Sequence, residues 1–224
     1  MCTRFCSILT FFLCVQLPAT AQPHAPEIRF ADEIKAFKNW DLKNAFPNNG
    51  ILFVGSSSIR MWNTAAAFPG RAVINRGFGG AVIEDVLFHY DVVVKPYAPR
   101  VIVFYCGDND VSNGLSPDSV LAGFDRFLLR VRSDFPKTTV VFVAVKPSPS
   151  RWSLWPAMAQ VNTAVSNRAK KDRKLMYADI ATPMLKTGSP PASGLFLEDG
   201  LHLSEEGYAL WAGILETHLK KAGL

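Results

Sequence analysis

The sequence predicts an α/β protein of three layers, with a parallel sheet covered by helices on both faces. Three observations lead there. Strand-like and helix-like segments alternate through most of the 224 residues, as parallel connections require. The strand-like segments are continuous apolar runs rather than alternating ones, which fits a sheet buried on both sides. Small polar clusters directly follow three of them: Gly55-Ser56-Ser57, Gly77-Phe78-Gly79-Gly80 and Gly107-Asp108-Asn109-Asp110. Ligands of such sheets gather at the carboxyl ends of the strands. These clusters, together with Asp199-Gly200-Leu201-His202 ahead of the last helical run, are therefore expected to meet at one place.

Taken in order, residues 1–21 have the pattern of a secretory signal peptide. Arg4 is the only charge, residues 8–17 are mostly apolar, and Ala19-Thr20-Ala21 forms a small-x-small cleavage site before Gln22. The apolar run is short for a bilayer span. Residues 22–224 are thus expected to be one exported domain, periplasmic or extracellular, with no stable membrane insertion after cleavage. Residues 23–27 read as a loose lead-in. Residues 31–45 read as a helix, with Ile34, Phe37 and Trp40 at spacings of three, ended by Pro47-Asn48-Asn49-Gly50. Strands are expected at 51–54, 72–74, 101–105, 139–145 and 175–178, and helices at 83–94, 117–133, 156–171 and 204–221. Pro117 suits a first helical turn, and Ser204-Glu205-Glu206 supplies a hydroxyl cap and acids at the positive end of a helix dipole. The irregular stretches 146–155 and 187–201 are candidate substrate-facing loops.

Composition narrows the function. With 49% hydrophobic and 19% charged residues the chain is an ordinary globular one, not a disordered one. The formal charge of +5 is scattered, and its one short basic cluster, 168–174, contains Asp172 and reads as a solvated helix end. No nucleic-acid module is apparent. Cys2, Cys6 and Cys14 fall in the signal segment, which leaves Cys106 without an intramolecular partner. It follows an apolar run and reads as a packed residue. Cys and His do not fall at metal-site spacing, Asp108 and Asp110 lack the later acids of a calcium loop, and no Gly-Lys-Ser/Thr follows the glycine turns.

Acyl-transfer chemistry remains. A serine hydroxyl needs a base, and the base needs an orienting group. His202 lies in a polar turn three residues after Asp199, within reach of a carboxylate that would fix its tautomer. His89 and His218 fall in helical stretches and His24 near the mature terminus, so these three read as structural or solvent histidines. Gly79-Gly80 allows close backbone approach to a substrate, and Asn109 offers a neutral amide donor for an oxyanion.

Together these clusters resemble the SGNH hydrolase superfamily, the GDSL-type esterases and lipases. Gly55-Ser56-Ser57-Ser58-Ile59 aligns with the family's Gly-Asp-Ser block, with Trp62 at a position often aromatic there. Asn75-Arg76-Gly77-Phe78-Gly79-Gly80 matches the second block, Gly107-Asp108-Asn109-Asp110 the Gly-x-Asn-Asp block, and Asp199-x-x-His202 the last. The resemblance implies a flavodoxin-like sandwich with a five-stranded parallel sheet. It implies Ser57, His202 and Asp199 as the catalytic residues, and Ser57 N–H, Gly80 N–H and Asn109 as the oxyanion hole. It also implies carboxylic esters as substrates and no metal or organic cofactor. Ser56 stands where the family has Asp, which leaves three adjacent serines, with Ser58 the next choice of nucleophile. Arg151 and Trp152 in the proline loop are candidate substrate contacts, and Trp152, Trp155 and Phe196 are open between substrate-facing and packing roles. Small to medium acyl groups, acetylated carbohydrates among them, are the expected substrates. A lysophospholipase or thioesterase is the alternative within catalysis, and a carbohydrate-binding envelope protein the alternative outside it.

Overall fold

Alternate residues of each strand feed two different cores. In the computed structural model, which describes residues 26–224, the strands are β1 (Ile51–Gly55), β2 (Val73–Gly77), β3 (Val101–Tyr105), β4 (Thr139–Val143) and β5 (Leu175–Ala178). Leu52, Val54, Ile102, Phe104, Val140 and Phe142 join one core, which includes Ile34, Phe124, Phe127, Val161 and Val165 of the covering helices. Ile51, Phe53, Val101, Val103, Tyr105, Val141 and Val143 join the other, closed by Trp211, Leu215 and Leu219 of the helix Glu205–Lys221. The period of two along a strand turns continuous apolar runs into two buried faces. The result is a three-layer α/β/α sandwich.

All pairings are parallel and the strand order is β2-β1-β3-β4-β5. This is the flavodoxin-like order, whose switch point lies between β1 and β3. Long helices flank the sheet at Pro117–Asp134, Trp155–Ala169 and Glu205–Lys221. Ser116 and Ser204 cap the first and last of these by accepting from Ser119 N–H and Gly207 N–H at 3.2 Å each. Among the described residues no helix is long and apolar enough to cross a membrane. The expected signal segment with Cys2, Cys6 and Cys14, and His24 beyond it, lie outside the described residues.

Four expectations need correction. The helix read at 31–45 spans Ala31–Asp41: Lys43 N–H, Asn44 N–H and Asn44 Nδ2 all donate to the Trp40 carbonyl and close its end, while the Asp41 carboxylate accepts from Arg76 Nη2 and the Tyr97 hydroxyl at 2.6 and 2.7 Å. The helix read at 83–94 is two, Ile83–Phe88 and Tyr90–Val93, interrupted at buried His89, whose ring meets Phe30, Phe78 and Phe88 edge-on. β2 continues through Asn75 and Arg76 to Gly77; it is an edge strand, so its polar residues hide it from an apolar pattern. The end of the lead-in is a helical turn, Pro26–Arg29, from which Arg29 reaches the glycine loop.

Candidate active site

β1 and β3 converge more closely than any side chain would allow. Gly55 ends β1 at φ +142°, and a Cβ there would lie 1.8 Å from the Tyr105 carbonyl oxygen. The glycine thus lets Ser56 N–H donate to that carbonyl at 3.0 Å. Ser57 opens the short helix Ser57–Arg60 at once. Asn75 Nδ2 donates to the Ile59 and Trp62 carbonyls at 2.7 and 3.1 Å, the Tyr208 hydroxyl donates to the Ser58 carbonyl at 2.9 Å, and Trp62 stacks on Tyr208.

The three serines part company here. Ser56 and Ser58 are fully buried, and Ser58 Oγ accepts from Lys146 Nζ at 3.2 Å. Ser57 is half-buried, with its Oγ 3.0 Å from His202 Nε2. His202 Nδ1 lies 2.5 Å from Asp199 Oδ2, while Asp199 Oδ1 accepts from the Leu201 and His202 N–H groups at 2.8 and 2.9 Å. Burial works against ionisation of Asp199, yet the His202 ring and the two N–H groups hold its carboxyl at about 2. A carboxylate only accepts, so Nδ1 carries the ring proton. In the neutral ring, Nε2 then faces the Ser57 hydroxyl as an acceptor. The arrangement can draw a proton from Ser57.

The donors face it from two loops. Asn109, on the short helix Asp108–Ser112 after β3, donates from Nδ2 to the Ala81 carbonyl at 3.0 Å and accepts at Oδ1 from Arg151 Nη2 at 2.9 Å. Arginine only donates, so this contact fixes the orientation of the amide and leaves one of its two N–H bonds over. The glycine loop is held peptide by peptide. Phe78 N–H donates to the Gly55 carbonyl (3.0 Å), Val82 N–H to Asp85 Oδ2 (2.9 Å) and Ile83 N–H to Asp110 Oδ1 (3.0 Å). Among the described residues, the N–H groups of Ser57, Gly80 and Ala81 donate to no protein acceptor. Burial pushes Asp110 up to about 6, against the lowering effect of the Ile83 N–H.

A buried network adjoining Asn109 was not expected. Lys146, at the head of the stretch read as a substrate-facing loop, is 1% exposed. Its Nζ donates to Asp108 Oδ2, the Tyr105 hydroxyl and Ser58 Oγ at 2.8, 3.0 and 3.2 Å. Burial would raise the Asp108 carboxyl, but the Lys146 ammonium and the Arg151 guanidinium keep it below its ordinary value. Arg151 Nη1 lies 3.3 Å from Asp108 Oδ2 as an ion pair but has no hydrogen-bond partner among the described residues, whereas Nη2 is held by Asn109 Oδ1. Its first effect is on Asn109. The only sequence signal was a lysine directly after an apolar strand, which its neighbouring prolines disguised as loop.

Trp152 is half-buried and stacks parallel to Trp155, whereas Phe196 is 6% exposed, packs in the core and bridges to Leu203. Cys106 is a packed thiol, donating to the Ala81 carbonyl at 3.1 Å, and burial pushes its pKa well up. His218 contacts the Ile214 and Tyr177 carbonyls. Among the described residues no group of three or more His, Cys, Asp or Glu is placed to hold a metal ion.

A flavodoxin-like sandwich bearing a hydroxyl, an imidazole and a carboxylate in one line at its switch point defines the class of α/β sandwich hydrolases. Residues 55–210 match the GDSL-like Lipase/Acylhydrolase family, and the chain belongs to that family. It is accordingly a carboxylic ester hydrolase of the SGNH superfamily. No curated protein matches the sequence significantly. Several solved structures share the fold. A GDSL-like lipase from Bacteroides thetaiotaomicron superposes with TM-score 0.73 at 21% identity, covering 86% of this chain and 99% of that one. A protein from Streptococcus pneumonia described as a platelet activating factor gives 0.76 at 19%, covering 84% and 92%. A carbohydrate esterase family 3 protein from Talaromyces cellulolyticus gives 0.59 at 17%, covering 76% and 96%. At these identities the likeness speaks to fold alone.

Proposed function

We propose that this chain is an exported serine esterase acting on small to medium acyl esters, acetylated carbohydrates among them. The observation that carries the proposal is the unbroken line Asp199 Oδ2, His202, Ser57 Oγ, with contacts of 2.5 and 3.0 Å. In this reading His202 Nε2 takes the Ser57 proton as Oγ bonds to the ester carbonyl carbon. The carbonyl π electrons move to its oxygen, which Ser57 N–H, Gly80 N–H and the spare Asn109 N–H receive. Collapse breaks the bond to the alcohol, which leaves with the proton from His202. Water then gives its proton to His202 and attacks the acyl-enzyme, and the acid departs as Ser57 regains its proton. Asp199 holds the ring throughout.

That a fold neighbour is a carbohydrate esterase is the reason carbohydrate esters stand among the proposed substrates. The pattern of residues 1–21 supports export. The test is hydrolysis of p-nitrophenyl acetate, butyrate and octanoate by the purified protein, beside Ser57→Ala and Ser58→Ala. Loss in Ser57→Ala by about 10⁴-fold or more, with Ser58→Ala retaining turnover, is the expected result. Preference for octanoate would move the reading toward a lysophospholipase or thioesterase. No turnover and no trapped acyl-enzyme would count against the small-acyl reading and make glycan binding the next test. Export predicts that protein recovered outside the cytoplasm begins at Gln22.

A further inference from the structure

We infer that Arg29 and Glu33, from the N-terminal helical segment, are positioning residues that fix the Gly79–Gly80 peptide so that the Gly80 N–H points into the oxyanion hole. The inference rests on the reading of Gly80 as an oxyanion donor, and deepens it. Both residues lie before the 55–210 span that matches the family.

The geometry is a clamp on two peptides. Glu33 Oε1 accepts from Gly79 N–H at 2.9 Å, which fixes the peptide before the critical one. Arg29 Nη2 donates to the Gly80 carbonyl at 2.7 Å, which fixes the peptide after it. Between them lies the Gly79–Gly80 peptide, whose N–H has no protein acceptor among the described residues. It is flanked by two glycines, the second at φ +70°, so neither flank has a side chain to bias its orientation. Rotation of that peptide would exchange its N–H for a carbonyl oxygen, replacing a donor with an acceptor where negative charge develops.

The clamp is itself anchored. Phe30, 2% exposed, meets Phe78 edge-on with centroids 4.8 Å apart, directly before the glycine pair. The Arg29 guanidinium lies over the Phe30 ring at 4.6 Å and its Nη1 is 3.5 Å from Asp85 Oδ2. Glu33 Oε1 also accepts from Arg60 Nη1 at 3.3 Å, and Arg60 ends the short helix that Ser57 begins. The helical turn Pro26–Arg29 and the helix Ala31–Asp41 together therefore tie the loop bearing Gly80 to the helix that Ser57 begins.

The test compares wild type, Arg29→Ala, Arg29→Lys, Glu33→Gln and Asn109→Ala on p-nitrophenyl acetate, with the Gly79 and Gly80 amides followed by ¹H–¹⁵N spectroscopy. The expected result is a fall in kcat of about 10- to 100-fold for Arg29→Ala, smaller than loss of a whole donor. KM should stay within about twofold, because the interaction is realised in the transition state. Arg29→Lys, which keeps a donor for the Gly80 carbonyl, should recover part of the loss. The Gly80 amide signal should broaden or double in Arg29→Ala, and the Gly79 signal should shift in Glu33→Gln. An active enzyme in which Asn109→Ala is impaired while Arg29→Ala and Glu33→Gln retain kcat and both amide signals would overturn the clamp alone. A wild type that hydrolyses no ester would overturn the functional reading, and the clamp's role with it.

Discussion

The Asp199 and His202 side chains are 47% and 23% exposed, while those of Asp108 and Lys146, in the network adjoining Asn109, are 5% and 1% exposed. Both pairs join a carboxylate to a basic side chain, but they serve opposite requirements. The first is a local turn, closed by N–H groups two and three residues along the chain. In the proposed mechanism His202 trades protons with substrate and water and needs that access. The second gathers Ser58, Tyr105, Asp108, Lys146 and Arg151 from four separate segments. In the proposed mechanism Asn109 must not reorient as charge develops, and a dry, fixed surround serves that. One site thus has a half built for access and a half built for rigidity.

The comparison breaks most visibly at Asp199. Asp199→Asn should lower kcat/KM by roughly 10³- to 10⁴-fold, because an amide can present N–H to the ring and favour the tautomer whose Nε2 cannot accept the Ser57 proton. Stability should stay within about 1 kcal/mol, since the residue is exposed. Steady-state kinetics and urea unfolding check the pair of outcomes, and a large stability loss would show that the turn is not the open half described. Asn109→Ala should lower kcat by about 10²- to 10³-fold with KM little changed. It should also destabilise by about 1 kcal/mol through loss of the bond to the Ala81 carbonyl. Equal effects on kcat and KM would remove the transition-state role.

Lys146→Met should destabilise the protein by about 3 kcal/mol, because Asp108 keeps only Arg151 as counter-charge in a buried place. Adding Asp108→Asn should restore part of that loss. A double variant less stable than Lys146→Met would mean that the network is not organised around this charge pair.

The smallest effect concerns pH, where the carboxyls of Asp199 and Asp110 have opposite signs. Asp199, held at about 2, contributes stability that is present above the ordinary carboxylate range and lost as pH falls through about 2. Asp110, raised to about 6, favours its protonated form, so its contribution is full below about 4 and lost as pH rises through about 6. Asp110→Asn should therefore flatten the change in unfolding free energy between pH 4 and 7 by an amount on the order of 2 kcal/mol. An unaltered pH profile in urea titrations would remove Asp110 from the account.

The parts legible in the sequence were those whose signal is local. β1, β3, β4 and β5 were found because each is a short apolar run, and the Asp199–His202 pair because both members fall in one turn. β2 was cut short at Asn75 and Arg76 because an edge strand carries polar side chains. The break at His89 was missed because it arises from rings of Phe30 and Phe78 that are remote in the chain.

By itself the sequence determined the three-layer class, the strand ends at which chemistry gathers, and the residue types available there. Among three consecutive serines it pointed to Ser57 only through the resemblance, with Ser58 the next choice. Only the tertiary structure separated them, turning Ser57 to His202 across 145 positions and Ser58 to Lys146 across 88. It likewise brought Arg29 to Gly80 across 51 positions and Glu33 to Gly79 across 46. The physical reason is one of range. Strand runs and tight turns are set by neighbours in the chain and repeat with a period, whereas a buried charge or a clamped peptide depends on a partner that no period predicts.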